Sequence, residues 1–236
     1  MASGGRLDSS AAGGRSDADP QADARVAPIA AAKMMGRAPE PAGWSIFVDD
    51  ADPPAKRAIL ITAMRLFTTR GLSATSIRDI AAESGFTNPA LYRHFESKEA
   101  LASHLFEASY RWVTTRTASA IEQARSARGK LRALVDVSVA LSTEAPEAVL
   151  FVNEHLQELW PASQRRLVGL SLVGQVRALV RAVRDDGVFA ISDELATAAV
   201  LGTFGQWARA LYFGTLPGPA ARWRENLYLV VERIVL

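Results

Sequence analysis

The sequence predicts an all-α protein: an N-terminal three-helix unit of helix-turn-helix type followed by a larger helical body. Three observations carry that reading. From Pro53 onward, apolar residues recur at intervals of three and four, as on one face of a helix. No segment alternates apolar and polar residues for long enough to suggest a strand. Glycines and prolines punctuate the periodic segments, at Gly71, Gly85, Pro146, Pro161, Gly187 and the stretch 217–219.

Composition sets outer bounds. A chain of 236 residues with 49% apolar content can build one large domain or two small ones. Its 27 basic and 25 acidic residues nearly balance, so net charge names no partner. There is no cysteine, which excludes disulfides and thiolate sites and agrees with a reducing cytoplasm. The longest uncharged run, Leu195 to Ala208, spans 14 residues, short of the roughly 20 that cross a bilayer. The first 35 residues carry Asp8, Asp17, Asp19 and Asp23 and no apolar block of signal length. A cytoplasmic location without membrane contact is expected.

Residues 1–50 read as a disordered extension rich in Ala, Gly, Ser, Asp and Pro. Met34 or Met35 offers an alternative start, which would leave residues 1–34 untranslated. Trp44, Ile46 and Phe47 are apolar enough to pack back on the folded part.

The next segment is read helix by helix. Pro53 and Pro54 suit a helix entry. Leu60, Ala63, Met64 and Phe67 make one face, and Gly71 ends the helix as a left-handed cap with Leu72 after it. Thr75 can cap a second helix whose inner face is Ile77, Ile80 and Ala81. Gly85, four residues after Ala81, gives the tight turn that two closely crossing helices need. Thr87 can then cap a third helix, with Pro89 tolerated in its first turn. Leu91 and Phe95 face inward with Phe67 and Phe86. Pro89 and Arg93 point nearly the opposite way, with Ala90 and Tyr92 on the flanks. A new helix follows Ser97, with Lys98 in its first turn. Between Lys56 and Lys98 seven basic residues face three acidic ones, a local +4 against +2 for the whole chain.

The run KRAILITAMRLFTTRGLSATSIRDIAAESGFTNPALYRHFESKEAL, residues 56–101, resembles the DNA-binding domain of TetR-type transcriptional regulators. The resemblance implies a DNA-binding domain over 53–113 with its helix-turn-helix at about 76–95. It puts Thr87, Asn88, Pro89 and Ala90 at the major groove. It makes Tyr92, His94 and Lys98 phosphate contacts, joined by Thr75 and Ser76 from the second helix. Arg78 either joins that set or pairs with acids on a solvated face. The sequence departs from the common pattern at Pro89, where glycine is frequent, and at Ala90, where threonine or serine is frequent. Base reading would then lean on Asn88, Arg93 and an apolar touch on a thymine methyl.

The resemblance fades after about Leu105. Helices are expected near 98–124, 130–143, 146–160, 163–185, 192–213 and 219–236, the body being 114–236. Trp223, Leu227, Val230 and Ile234 form one stripe on the last helix. Ala198, Gly202 and Gly205 allow close approach on the one before it. Two such helices per subunit can pair into a four-helix bundle across a two-fold axis. A homodimer of this kind presents two reading heads about 34 Å apart to a pseudo-palindromic operator. For a small-molecule effector the expected lining is Phe106, Tyr110, Asn153 and Trp160, Asn153 being a polar residue on an apolar face. His155 and Glu158 are too few to hold a metal, and no cofactor is expected. Gly169-Leu170-Ser171 does not complete a nucleophile elbow, and no H-E-x-x-H or phosphate-cradling glycine loop occurs. The expectation is a repressor released by its effector. Its alternatives are an activator and a ligand-binding protein whose helix-turn-helix no longer reads DNA.

Overall fold

Serine hydroxyls start many of the helices. The computed structural model describes residues 43–184 and 190–236. In order the helices are α1 (Pro54–Arg70), α2 (Ile77–Ser84), α3 (Asn88–Tyr92), α4 (Lys98–Gln123), α5 (Ala127–Glu144), α6 (Pro146–Ser163), α7 (Leu172–Arg184), α8 (Asp193–Tyr212) and α9 (Arg224–Val235). Short 3-10 turns lie at Trp44–Ile46 and Ala220–Trp223, and no strand occurs among the described residues. Ser97, Ser126 and Ser192 cap α4, α5 and α8, each accepting from the backbone N–H three residues on.

One expected helix is shorter than its periodicity suggested. The segment 163–185 becomes helical only at Leu172. Before it, Gly169 takes φ +81° and reverses the chain, while Leu167 is buried to 1% and pins the link. At the other end, α6 passes Pro161 and stops at Ser163.

Two large apolar cores form, with a smaller cluster of Val113, Val137 and Leu141 between α4 and α5. The first gathers Ile59, Leu60 and Phe67 of α1, Ile80 of α2, Leu91 of α3, Leu101, Leu105 and Phe106 of α4, and Phe151 of α6. Phe67 and Phe151 stack with centroids 5.9 Å apart. The second joins Leu131 and Val135 of α5, Val176 and Val180 of α7, Val200 of α8, and Val231 and Val235 of α9. α4 packs along both α5 and α6. It runs unbroken through 113–114, so a single helix carries the chain from the first three helices into the body.

The N-terminal extension is shorter at its C-terminal end than the expected boundary at 50. Trp44, Phe47 and Val48 are buried in the first core, with Trp44 and Phe47 edge-to-face at 5.4 Å. Gly43 passes so close to the α5–α6 corner that a Cβ there would lie 2.4 Å from the Glu144 carbonyl oxygen. The expectation of disorder for residues 1–42 lies outside the described residues. His104 of α4 sits beneath this strap, its ring 5.5 Å from that of Phe95. Burial, aided by the charge of Lys56, holds its pKa below the ordinary 6.5, against the opposing pull of Asp52, Glu107 and a hydrogen bond with the Phe47 backbone.

At the far end, Arg184 is buried to 6% exposure. Its Nε donates to the Val235 carbonyl at 2.8 Å and one terminal nitrogen to Ile234 at 3.3 Å. The other bonds Ile191 at 2.8 Å and the Asp193 carboxylate at 3.2 Å. One guanidinium thus joins the end of α7, the start of α8 and the C-terminal carbonyls of α9.

Two measurements check these contacts. Arg184→Ala strands the Ile191 and α9 carbonyls, while Asp193 keeps Arg181 at 3.1 Å, and should cost about 1–3 kcal/mol in denaturant unfolding. For His104, the unfolded chain takes up a proton that the folded chain resists. Stability is therefore full above pH 6.5 and falls as pH drops below it. Melting temperatures from pH 7.5 to 5 should show this loss, and His104→Gln should reduce it.

Candidate nucleic-acid interface and the cavity behind it

Gly71 ends α1 at φ 91° and ψ 152°, a region essentially reserved for glycine rather than the left-handed helical cap expected. The hydroxyl that then caps α2 belongs to Ser76, not Thr75. Ser76 Oγ accepts from the Asp79 N–H at 3.2 Å, and Asp79 Oδ2 accepts from the Ser76 N–H at 2.8 Å. This is a reciprocal capping box. Its signature, Ser-x-x-Asp, was present in the sequence. The hydrogen bond from the Ser76 hydroxyl holds the Asp79 carboxyl below its ordinary 3.8. Thr75 is buried to 1% and its hydroxyl donates to the Gly71 carbonyl at 2.8 Å, so it faces the fold rather than a phosphate.

Gly85, at φ 79° and ψ 16°, closes α2 in the left-handed conformation. The chain re-enters helix at once. Thr87 holds the cap position of α3 but makes no side-chain cap bond, which leaves its hydroxyl free for another partner. Leu91 and Phe95 anchor α3 from below at 1% and 8% exposure. On the outer side Thr87, Pro89, Tyr92 and Arg93 are exposed, while Asn88, Ala90 and His94 are half-buried. Ser76, Arg78, Asn88, Tyr92 and Lys98 rim one shallow depression together with 73–75 and Ile77. Thr87, Pro89, Ala90, Arg93 and His94 lie beside it. Lys98 also donates to the Leu72 carbonyl at 3.0 Å, tying the first turn of α4 to the α1–α2 link.

Ion pairing sorts the cations. Lys56 pairs with Asp52 at 2.7 Å, Arg57 with Asp50 at 3.4 Å, and Arg65 and Arg70 share Glu83 at 2.6 and 3.5 Å. Arg78, Arg93 and Lys98 have no carboxylate within ion-pair reach among the described residues, so their charge is unspent on the reading face.

Behind this head, five helices enclose a cavity of about 60 Å³. Val113 and Thr117 come from α4, Leu134, Ser138, Leu141 and Ser142 from α5, and Val149 and Asn153 from α6. Leu172 and Val176 of α7 and Leu201, Phe204 and Trp207 of α8 complete it. Of the four expected ligand residues only Asn153 lines this space. Its amide does not wait for a ligand, since Nδ2 donates to the Val149 carbonyl at 2.9 Å. Phe106, Tyr110 and Trp160 are packing instead. Phe106 stacks on Tyr110 at 5.7 Å, Trp160 lies 5.1 Å from Tyr110, and the Tyr110 hydroxyl accepts from the Leu172 N–H at 3.2 Å. Phe204 and Trp207 were the residues missed. Two large rings among the small residues of α8 were their signal. His155 and Glu158 stand 3.5 Å apart, and no cluster of three ligating side chains occurs among the described residues.

Residues 59–105 match the family described as bacterial regulatory proteins, tetR family. That segment is a tetR-type domain. The TetR-type match covers the head; similarity extends further in some relatives. The transcriptional repressor KstR2 of Mycolicibacterium smegmatis is 32% identical over 109 residues, 45% of this chain and 53% of that protein. Its Rhodococcus jostii counterpart is 29% identical over 130 residues, 55% of this chain and 63% of that protein. The chain thus spans about half to two thirds of the length of these relatives. The solved structure of the ketosteroid transcriptional regulator KstR2 of Mycobacterium tuberculosis shares the fold. Its TM-score is 0.64 at 20% identity, over 82% of this chain and 98% of that one.

α8 and α9 leave an apolar face open, turned from the stripe expected. Leu227 is buried, Trp223 and Ile234 pack half-buried on the second core, and Gly205 faces Asn153. Ala198 and Gly202 of α8 and Val230 of α9 remain exposed, joined by Leu195 and Leu229. The rotation follows from Val231 and Val235, which take the inward positions at 0% exposure.

Ser76→Ala removes one half of the capping box and should destabilise α2 by about 1 kcal/mol. Hydrogen exchange should report it as faster exchange confined to the first turn of α2.

Proposed function

We propose that this chain is a sequence-specific, dimeric transcriptional regulator, a repressor released from a pseudo-palindromic DNA operator by a small-molecule effector. The observation that carries the reading is the short outward α3 flanked by unpaired cations, within the segment that matches the tetR family. The relatives named as repressors support the repressor sense.

In this reading α3 enters the major groove. Thr87, Asn88, Pro89, Ala90 and Arg93 meet base edges, while Ser76, Arg78, Tyr92, His94 and Lys98 hold the flanking phosphates. Pro89 offers no backbone donor and Ala90 only a methyl, so hydrogen-bonded base reading falls to Asn88 and Arg93. The open face of α8 and α9, with Ala198, Gly202, Leu229 and Val230, pairs two subunits through small and apolar residues. The effector occupies the five-helix cavity. At about 60 Å³ the cavity is too small for most ligands as it stands, since even a benzene-sized guest needs roughly 150 Å³. A ligand must therefore part the walls, and Val113 and Thr117 place α4 among them. Displacing α4 shifts its Lys98 end, to which the head is tied, and the two heads lose their groove spacing. The regulator acts in the cytoplasm and performs no catalysis.

A gel shift with the purified chain and DNA flanking its own gene tests the proposal. A specific complex should form. Arg93→Ala should weaken it by about 1–3 kcal/mol and relax base preference at one position. Tyr92→Ala should weaken specific and random DNA alike. A steep fall in affinity with salt is expected, because phosphate neutralisation releases counterions. A folded dimer that shifts no DNA would support the non-reading alternative and point to Pro89 and Ala90.

A further inference from the structure

We propose that the cavity between α4 and α8 takes a neutral, mainly apolar molecule carrying one hydrogen-bond acceptor, held by the indole N–H of Trp207. The proposal rests on the reading of this cavity as the effector site and narrows what fills it.

The first observation is what the wall lacks. Its thirteen lining residues include no Asp, Glu, Lys, Arg or His. Valine, leucine, Phe204 and Trp207 dominate, with Thr117, Ser138, Ser142 and Asn153 as the polar members. A carboxylate or ammonium entering here would give up its hydration and meet no counter-charge, a penalty that an apolar wall does not repay.

The second observation is one donor without a partner. Trp207 lines the cavity at 6% exposure, and its Nε1 is buried with no hydrogen-bond partner among the described residues. Buried donors are rarely left so. Two of the polar lining groups have already closed on themselves: Ser138 Oγ donates to the Leu134 carbonyl at 2.8 Å and Asn153 Nδ2 to the Val149 carbonyl. An indole N–H can only donate. What satisfies it must therefore bring an acceptor, such as a carbonyl or ether oxygen.

The third is volume. The cavity holds about 60 Å³, so the ligand enters by expanding it. The indole nitrogen is sealed in the closed form and is reached only as the wall parts. The acceptor is thereby matched to the expanded form, which is what a ligand must favour to shift a population.

Three probes of one ring size separate the possibilities on the full chain labelled with 15N-tryptophan: acetophenone, ethylbenzene and benzoate. Affinities come from titration followed by tryptophan fluorescence, and the Trp207 indole resonance is assigned by its loss in Trp207→Phe. Acetophenone should bind about three- to tenfold more tightly than ethylbenzene. Benzoate should bind at least tenfold more weakly than acetophenone. Only acetophenone should move the Trp207 indole proton downfield. In Trp207→Phe the two neutral probes should bind equally. Should that variant repack the wall, the wild-type indole shift still decides. Benzoate binding as tightly as acetophenone, or an indole signal unmoved at ketone saturation, would overturn the ligand class and leave the effector cavity standing. No binding by any probe, in a chain that still shifts operator DNA, would remove the cavity as an effector site and this proposal with it.

Discussion

One helix runs from the first core to the cavity wall, and most of the structure is arranged around that fact. The N-terminal half of α4 buries Leu101, Leu105 and Phe106 against α1 and α6, while its C-terminal half brings Val113 and Thr117 to the cavity wall. A close-packed interior does not deform smoothly; it shifts between discrete packings. α4 runs without a break from the first core to the cavity wall, so neither end shifts without the other. Lys98 fastens the near end to the Leu72 carbonyl, and the Tyr110 hydroxyl fastens the middle to the start of α7. The strap of Trp44 and Phe47 adds a third restraint over His104, where a buried imidazole resists protonation.

The reading head also shows how a weak net charge becomes a strong local one. The paired cations all sit on α1, where Glu83 of α2 absorbs both Arg65 and Arg70. Exposed pairs of this sort add little to stability. Their effect is spatial: they neutralise one side of the head and leave Arg78, Arg93 and Lys98 as its field on the other. A count of charges along the sequence finds the excess without finding which side carries it.

Much of the head was legible because its boundaries are marked by local chemistry. Glycine at 71 and 85, proline at 54 and 89, and serine at 97 each fix a turn without reference to distant residues. The choice between Thr75 and Ser76 as cap was not local. It depends on Thr75 being buried against the end of α1, with its hydroxyl committed to Gly71. The body was legible as helices but not as a cavity. A period of 3.6 tells which residues share a face, not whether that face meets a neighbour or a void. Tyr110 and Trp160 met each other, and the void fell to Phe204 and Trp207 instead. The same ambiguity shifted the open face of α9, where Leu227 and Val230 are both apolar and only packing decides which is turned inward.

The clasp at Arg184 bears on how the chain end is to be treated. Chain termini are commonly the places where trimming is harmless, because their backbone groups face water. Here the carbonyls of Ile234 and Val235 are the partners of a buried guanidinium. Removing the last three residues would take away two acceptors at once and leave a cation inside the fold. Tolerance to truncation at this end stops within a single turn of α9, since the backbone carbonyls of Ile234 and Val235 are as much a part of the interior as the guanidinium they bind.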